Sequence, residues 1–381
     1  MKILVAQTIF LGDLVLTLPL IQKLKKELPG TTIDVLVNQK NESLLTHHPA
    51  VDRVILFDKK NTHHGFGGLM RLVRELREEQ YDVAIVLPGS VRTALAIWIA
   101  KIPRRIGSDQ STGMMLFADR LTFLHKSHRT ISSKFVYYVE KVLRSFGTMS
   151  MTSPLFTDII VLDKQKHASL RYMDLAKPFG IKLTADERLF IAVREKDRKV
   201  VDVFLAEYQP RSELIALAPG SIWSTKRWPA EYFAEFIKQF RNETTNRSIV
   251  MIGGEGDRDL CKSITEITGP SQVLLAAGRF SPTQSAELLR RCRVLISNDS
   301  AAMHLASAVG TPVVAIFGPT IPEFGFTPLG EKNVIVERTG LWCRPCTPHG
   351  GDRCPIGTHE CMRGLSVKQV RQAVETILTR T

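Results

Sequence analysis

Two short segments place chemistry-bearing residues directly after an apolar run. In Gln7-Thr-Ile-Phe-Leu-Gly-Asp13, a glycine and a carboxylate follow the first such run and lead into a helical pattern. A carboxylate there can take a proton from a weakly acidic hydroxyl, and Gly12 permits a tight backbone path. Asp is equally a favoured helix N-cap, so a structural role for Asp13 stands beside the chemical one. In Leu295-Ile-Ser-Asn-Asp-Ser-Ala-Ala-Met-His304, Asp299 or Ser300 is expected to cap a helix, leaving N–H groups at its positive end. Ala301 and Ala302 are small enough for an anion to approach those groups, and His304 follows about one turn further on. The segment reads as a pyrophosphate seat, although a lone histidine is more often a core residue.

Two further loops have the same setting. Leu217-Ala-Pro-Gly-Ser-Ile-Trp-Ser-Thr-Lys-Arg-Trp-Pro229 gathers the hydroxyls of Ser221 and Thr225 with Lys226 at a helix entry. Hydroxyls and an ammonium at such a point suit a diphosphate; a solvent-facing basic loop accounts for the spacing equally well. Ile252-Gly-Gly-Glu-Gly-Asp257 offers Glu255 as an acceptor for ribose hydroxyls, or is a plain turn with a helix cap. The first strand is not followed by G-x-G-x-x-G, which argues against a dinucleotide oxidoreductase.

Positioning these loops requires strands that alternate with helices. In the first half, strands are expected at Lys2–Ala6, Thr32–Val37, Val54–Phe57, Asp82–Leu87 and Arg104–Gly107, with helices at Leu14–Glu27, Leu69–Glu79 and Val91–Ala100. Pro19 is expected to bend the first helix. The second half repeats the pattern: strands at Leu214–Ala218, Ser248–Ile252, Val273–Ala276, Val294–Ser297 and Val313–Phe317, with helices at Pro229–Arg241, Arg258–Ile267, Pro282–Arg291, Ala301–Val309 and Ser366–Thr381. The charged stretch Asp163–Glu207 reads as the connection, and the halves are divided as 1–188 and 189–381. The fold class is therefore α/β, with two Rossmann-like doubly wound domains and ligands expected beyond the carboxyl ends of the strands, in an interdomain cleft.

A chain of 381 residues with 44% hydrophobic and 23% charged residues suits two globular domains, not a disordered chain. Of the net charge of +13, the first half carries +9 and the second +4. This excess suits a phosphate-rich partner such as an anionic membrane, a phosphorylated glycolipid or a nucleic acid. With 7% aromatic residues and none interleaved with the basic ones, a nucleic-acid-binding or lipid-binding protein without catalysis is the weaker reading. No apolar run is long enough to span a membrane, and the N-terminus opens a strand and not a signal peptide. A cytoplasmic protein, touching a membrane peripherally, is expected.

Cys343-x2-Cys346-x7-Cys354-x6-Cys361, with His349 and His359 between, could hold a structural zinc. Otherwise these are reduced thiols in a surface lobe; no cofactor is expected to serve the chemistry.

Taken in order, these motifs resemble glycosyltransferase family 9, the lipopolysaccharide heptosyltransferases, over nearly the whole chain. The resemblance rests on Gly12-Asp13, Pro219-Gly220, Lys226-Arg-Trp-Pro229, and Asn298-Asp-Ser-Ala-Ala-Met-His304 with Gly310-Thr-Pro312. Arg92-Thr-Ala-Leu-Ala, Ile102-Pro-Arg-Arg-Ile-Gly107 and the cysteine segment are similar to the heptosyltransferase II branch. The chain carries Ser300-Ala-Ala where relatives often have Ser or Thr followed by Gly.

The resemblance implies a GT-B architecture and an inverting transfer of heptose from an ADP-heptose donor to the lipopolysaccharide inner core, with Asp13 as general base. It implies donor contacts from Lys226, Asp299, Ser300, Ala301, Ala302 and His304, with Ser221, Thr225 and Glu255 added from their loops. Acceptor binding is assigned to the first half, with Gly12, Arg92, Arg104 and Arg105 as candidates beside Lys101, Lys126 and Arg129. The partners are then an ADP-sugar, the inner-core glycolipid and the inner-membrane surface, without nucleic acid. A transferase or epimerase acting on another nucleotide sugar is the alternative.

Overall fold

The computed structural model describes residues 1–110, 155–183, 189–210, 213–243, 246–269 and 273–380. Lys126 and Arg129 lie outside the described residues. The chain divides into two compact units, Met1–Arg188 and Leu189–Thr381.

The described elements of the first unit are β1 (Lys2–Gln7), α1 (Leu11–Glu27), β2 (Thr32–Asn38), β3 (Arg53–Phe57), α2 (Gly65–Glu78), β4 (Val83–Val86), α3 (Val91–Ile99), β5 (Arg104–Ser108), β6 (Asp158–Ile160) and α4 (Ala168–Met173). The sheet order is β3-β2-β1-β4-β5-β6, and every pairing is parallel. Central strands of a covered parallel sheet are buried on both faces, so they read as continuous apolar runs. Ile3, Leu4, Val5 and Ala84, Ile85 show this, all fully buried. Helix α1 continues through Pro19, with Leu14–Ile21 buried.

The second unit comprises α5 (Glu195–Tyr208), β7 (Glu213–Ala218), α6 (Ala230–Glu243), β8 (Arg247–Met251), α7 (Arg258–Thr268), β9 (Val273–Leu275), α8 (Pro282–Arg290), β10 (Cys292–Asn298), α9 (Ala301–Ala308), β11 (Val313–Phe317), β12 (Val334–Glu337), α10 (Glu360–Arg363) and α11 (Val367–Arg380). Its sheet runs β12-β11-β10-β7-β8-β9, again all parallel. Numbered from each unit's own first strand, both sheets have the order 3-2-1-4-5-6. Strand order therefore reverses beside β1 in one unit and beside β7 in the other, and loops leaving those strands open the crevice where doubly wound folds bind ligands. Two Rossmann-like units in one α/β chain match the expected fold class.

The second core is built around Trp228, just before α6. Its indole meets Phe233 edge-on at 4.9 Å, and its Nε1–H donates to the Leu365 carbonyl at 2.9 Å. A buried Trp whose N–H is satisfied is worth about 3–5 kcal/mol against alanine. It anchors the end of the Lys226 loop.

The stretch expected to be an irregular connection holds α5 instead. Most of its charges face outward, Asp197 is buried against Arg194, and Val201 and Phe204 are buried, with Phe204 meeting Phe280 edge-on. Amphipathicity was hidden by the density of Lys, Arg, Asp and Glu. Strands β6 and β12 were also missed. Both are short edge strands with partly exposed residues, so neither forms an apolar run.

Candidate active site

In the first unit, β1 ends at Gln7 and α1 begins at Leu11, so Asp13 is the third helical residue. Phe10 occupies the N-cap, and no side chain caps the helix. The capping role expected of Asp13 is thus not the one it takes. Its Oδ1 accepts a 2.6 Å hydrogen bond from the Tyr172 hydroxyl on α4. Burial, then the charge and hydrogen bond of Asp13, raise the Tyr172 phenol far above its usual range. It therefore stays protonated and donates. Arg171 is buried beside this pair; burial lowers its guanidinium below its usual value, while the Tyr172 and Asp13 charges oppose that. A short bond from a neutral donor orients the carboxylate without cancelling its charge.

The rest of this switch point is a small polar cluster. Thr8 Oγ1 lies 2.9 Å from Thr93 Oγ1, and the Ser90 hydroxyl accepts from the Thr93 N–H. Gly89, at φ +123°, is needed here: a Cβ would lie 2.4 Å from Ile9 Cδ1. Arg92 follows at the start of α3, donating from Nη2 to the carbonyls of His63 (2.7 Å) and Gly65.

Arg104 and Arg105 are placed differently. They begin β5, at the amino end of the sheet, away from the ligand edge of a parallel sheet. Arg104 makes a two-pronged contact with Asp158 (3.2 and 2.9 Å) and reaches the Pro178 carbonyl. Arg105 donates to the carbonyls of Leu155 and Ile102. Both serve the fold of this edge, and the expectation that they bind acceptor is corrected. Lys101, exposed at φ +63°, ends the turn after α3, before the amino end of β5.

In the second unit, the loops after β7 and β10 meet. Asn298 joins them: its Nδ2 donates to the Pro219 carbonyl at 2.8 Å, and its Oδ1 accepts from the Trp228 N–H at 3.0 Å. Lys226 Nζ lies 2.6 Å from Asp299 Oδ2, and the same oxygen accepts from the Thr320 hydroxyl at 2.7 Å. Lysine and aspartate are 12% and 8% exposed, so the pair is largely desolvated but within reach of a ligand. Ser300 is the N-cap of α9 and makes no side-chain cap, so Asp299 is not the cap either. Ala301 and Ala302 are half-buried in the first turn, and His304 is buried below them. An ammonium beside a helix start lacking a side-chain cap can receive a phosphate.

The remaining donor candidates divide. Thr225 and Ser221 are buried in the Lys226 loop. The Ser221 carbonyl accepts from Arg227, and the Thr225 hydroxyl donates to the Gly351 carbonyl at 2.7 Å and accepts from the Gly351 N–H at 2.8 Å. Glu255 is exposed and paired with Arg258 at 3.0 Å. Gly220 and Gly253 face Asp257: a Cβ on either would lie 2.1 or 2.7 Å from that side chain, whereas a Cβ on Gly256 would meet nothing within 4 Å.

The cysteine segment braces the lysine loop. His359 Nε2 donates to the Thr225 carbonyl at 2.7 Å, and the Ser224 hydroxyl donates to the Asp352 carbonyl. Arg344 reaches the Thr320 carbonyl at 2.8 Å, and Thr320 holds Asp299. Cys346, Cys354 and Cys361 line a cavity of about 20 Å³ with His359 and Thr225. Burial, then the neighbouring cysteines, push the Cys346 thiol up to about 12 and the Cys361 thiol up to about 11. Cys346 donates to the Cys343 carbonyl, and Cys354 Sγ accepts from the His359 N–H. Among the described residues, no group of three or more His, Cys, Asp or Glu is arranged to hold a metal ion. As placed, Cys343, Cys346, Cys354 and Cys361 do not form the four-sulfur zinc site expected from their spacing, and no chemistry is routed through one.

Sequence reasoning missed Tyr172 and Thr320, which act across 159 and 21 positions and sit in no recognisable motif. Asp257 and His359 stood in segments already singled out, but without these roles.

Known proteins match most of the chain. The model of glycosyltransferase family 9 (heptosyltransferase) matches residues 69–351. Lipopolysaccharide heptosyltransferase 2 of Salmonella typhimurium is 29% identical over 351 residues, covering 88% of each chain, and its Escherichia coli K12 counterpart is 28% identical over the same length. The solved Escherichia coli ADP-heptose lipopolysaccharide heptosyltransferase II superposes with a TM-score of 0.72 at 25% identity, covering 100% of this chain and 99% of that one. A glycosyl transferase family 9 structure from Veillonella parvula shares the fold at a TM-score of 0.79 and 24% identity, covering 100% and 98%. The family match spans well over half of the chain: this protein belongs to glycosyltransferase family 9, the heptosyltransferases, and is a glycosyltransferase.

Proposed function

We propose that the protein transfers L-glycero-D-manno-heptose from ADP-heptose to the lipopolysaccharide inner core, on a Kdo/heptose-lipid A acceptor, with inversion. The observation that carries this reading is the lysine–aspartate pair beside the start of α9, a seat for a departing diphosphate that does not need a metal. The names of the relatives support heptose as the sugar and lipopolysaccharide as the acceptor class.

In this reading Asp13 takes the proton of the attacking acceptor hydroxyl as the new bond to the anomeric carbon forms. The bond from that carbon to the diphosphate oxygen breaks in the same displacement, which inverts the centre. Tyr172 aims Asp13 and remains protonated throughout. ADP leaves carrying negative charge, which the N–H groups of Ala301 and Ala302 and the Lys226 ammonium stabilise. Asp299 aims Lys226 at the phosphates. Gly12 gives the acceptor close access to the backbone, and Arg92 offers it a cation. Glu255 takes ribose hydroxyls after exchanging its contact with Arg258. The enzyme works at the cytoplasmic face of the inner membrane, bound peripherally.

The test is transfer from ADP-heptose to truncated core acceptors, read by mass spectrometry, with the product anomer read by NMR. Turnover with inversion is the expected result. Turnover of a different nucleotide sugar, with none of ADP-heptose, would overturn the reading.

A further inference from the structure

Outside the residues assigned to chemistry, the first unit carries an unusual surface on α2 and α3. Phe66 is 78% exposed, Met70 36% and Trp98 45%. Phe66 and Met70 are one turn apart on α2. Phe66 stands between Gly65 and Gly67, so no adjacent side chain shields its ring. Arg92 ties the start of α3 to the start of α2 through the His63 and Gly65 carbonyls, and Arg77 ties their ends through the Ile99 carbonyl at 2.8 Å. The two helices therefore lie side by side in the same direction, and their outward residues share a surface.

That surface is basic. Arg71, Arg74 and Arg77 continue the exposed side of α2, with Lys60 before it and Lys101 after α3. None of these forms an ion pair with another described residue, and of the α2 acids Glu75 faces His63 at 3.2 Å, leaving Glu78. Lys59, close by, is lowered from its usual value by burial and then by the Arg92 charge. Exposed apolar side chains bordered by uncompensated cations match the headgroup region of an anionic bilayer, where aromatic rings sit at the interface and arginines meet phosphates. A second copy of this face would meet it with like charge.

We propose that the α2–α3 face docks on an anionic lipid bilayer, with Phe66, Met70 and Trp98 entering the headgroup layer and Arg71, Arg74 and Arg77 pairing with lipid phosphates. This assignment does not depend on which sugar is transferred.

The test is co-sedimentation of the full chain with vesicles of phosphatidylethanolamine and phosphatidylglycerol, against vesicles of phosphatidylcholine alone. The wild type is expected to bind the anionic vesicles and to release as salt rises. Phe66→Ser with Trp98→Ser should lower partitioning about 10-fold or more. Arg71→Ser with Arg74→Ser should flatten the salt dependence. Both variants should keep wild-type melting and turnover of a soluble truncated acceptor, so a failure here is distinguishable from a failure of the transferase reading. Equal partitioning of wild type and variants, or no binding to anionic vesicles, would overturn it. So would concentration-dependent dimers that the serine substitutions abolish, which would assign the face to a second copy.

Discussion

Two carboxylates lie at the two switch points, yet they are held in different ways. Asp13 follows β1, the first strand of its unit, and is the third residue of α1; Asp299 follows β10, the fourth strand of its unit, and precedes the N-cap of α9. Asp13 accepts from a neutral phenol, with the Arg171 guanidinium buried beside the pair; Asp299 accepts from an ammonium and a hydroxyl. A phenol bond leaves the negative charge in place, so Asp13 can still receive a proton. An ion pair cancels it, so Asp299 positions a cation instead. A carboxylate at a switch point is thus fit for the proposed base in one unit and anchors the Lys226 ammonium in the other, and the partners it meets make the difference.

The strongest way to break this contrast is Asp13→Asn. Turnover should fall about 100- to 10,000-fold, the range of general-base contributions, while ADP affinity measured by calorimetry stays at the wild-type value. Near-normal turnover would show that the carboxylate only serves the fold. Lys226→Ala should do the reverse, weakening ADP binding about 10- to 100-fold, as expected for a lost charge-assisted contact. An unchanged dissociation constant would remove the lysine from the donor site. Tyr172→Phe sharpens the comparison: it removes the phenol bond to Asp13 and keeps the carboxylate, and turnover should drop about 10-fold with ADP affinity unaltered. A loss of ADP binding in this variant would mean that Tyr172 supports the fold of its unit and not the aim of the base.

The smallest effect is expected away from both switch points. The Arg104 hydrogen bond holds the Asp158 carboxyl below its usual value, with burial opposing and Thr157 assisting. A lowered folded-state value means that this pair contributes stability above the unfolded value and loses it as pH falls through the folded one. Asp158→Asn should therefore melt close to wild type at pH 7 and show a smaller loss of stability below about pH 4. Impaired transfer in this variant would return Arg104 to the acceptor site.

Much of this was legible before any coordinates. Runs such as Ile3-Leu-Val5 and Val313-Val-Ala-Ile-Phe317 can only be interior strands, and the loops that follow them carried Asp13, Lys226 and Asp299. The errors share a cause. Arg104 and Arg105 looked like the basic residues of a binding surface, because composition does not reveal which end of a parallel strand faces the ligand. The helix at Glu195–Tyr208 was obscured by its density of charge, most of which faces outward.

Local chain chemistry settled most of the strands and helices, short edge strands and the charged helix α5 apart, and which loops carry carboxylate, lysine and small residues. Apolar periodicity and turn residues act over a few positions, and the sequence displays them directly. The side chains that meet those loops were decided only by the tertiary structure. Tyr172 reaches Asp13 across 159 positions, and Lys226 reaches Asp299 across 73. A bond of 2.6 Å between residues so distant in the chain exists only after the sheet of its own unit has formed, since packing, not local propensity, sets where each side chain ends.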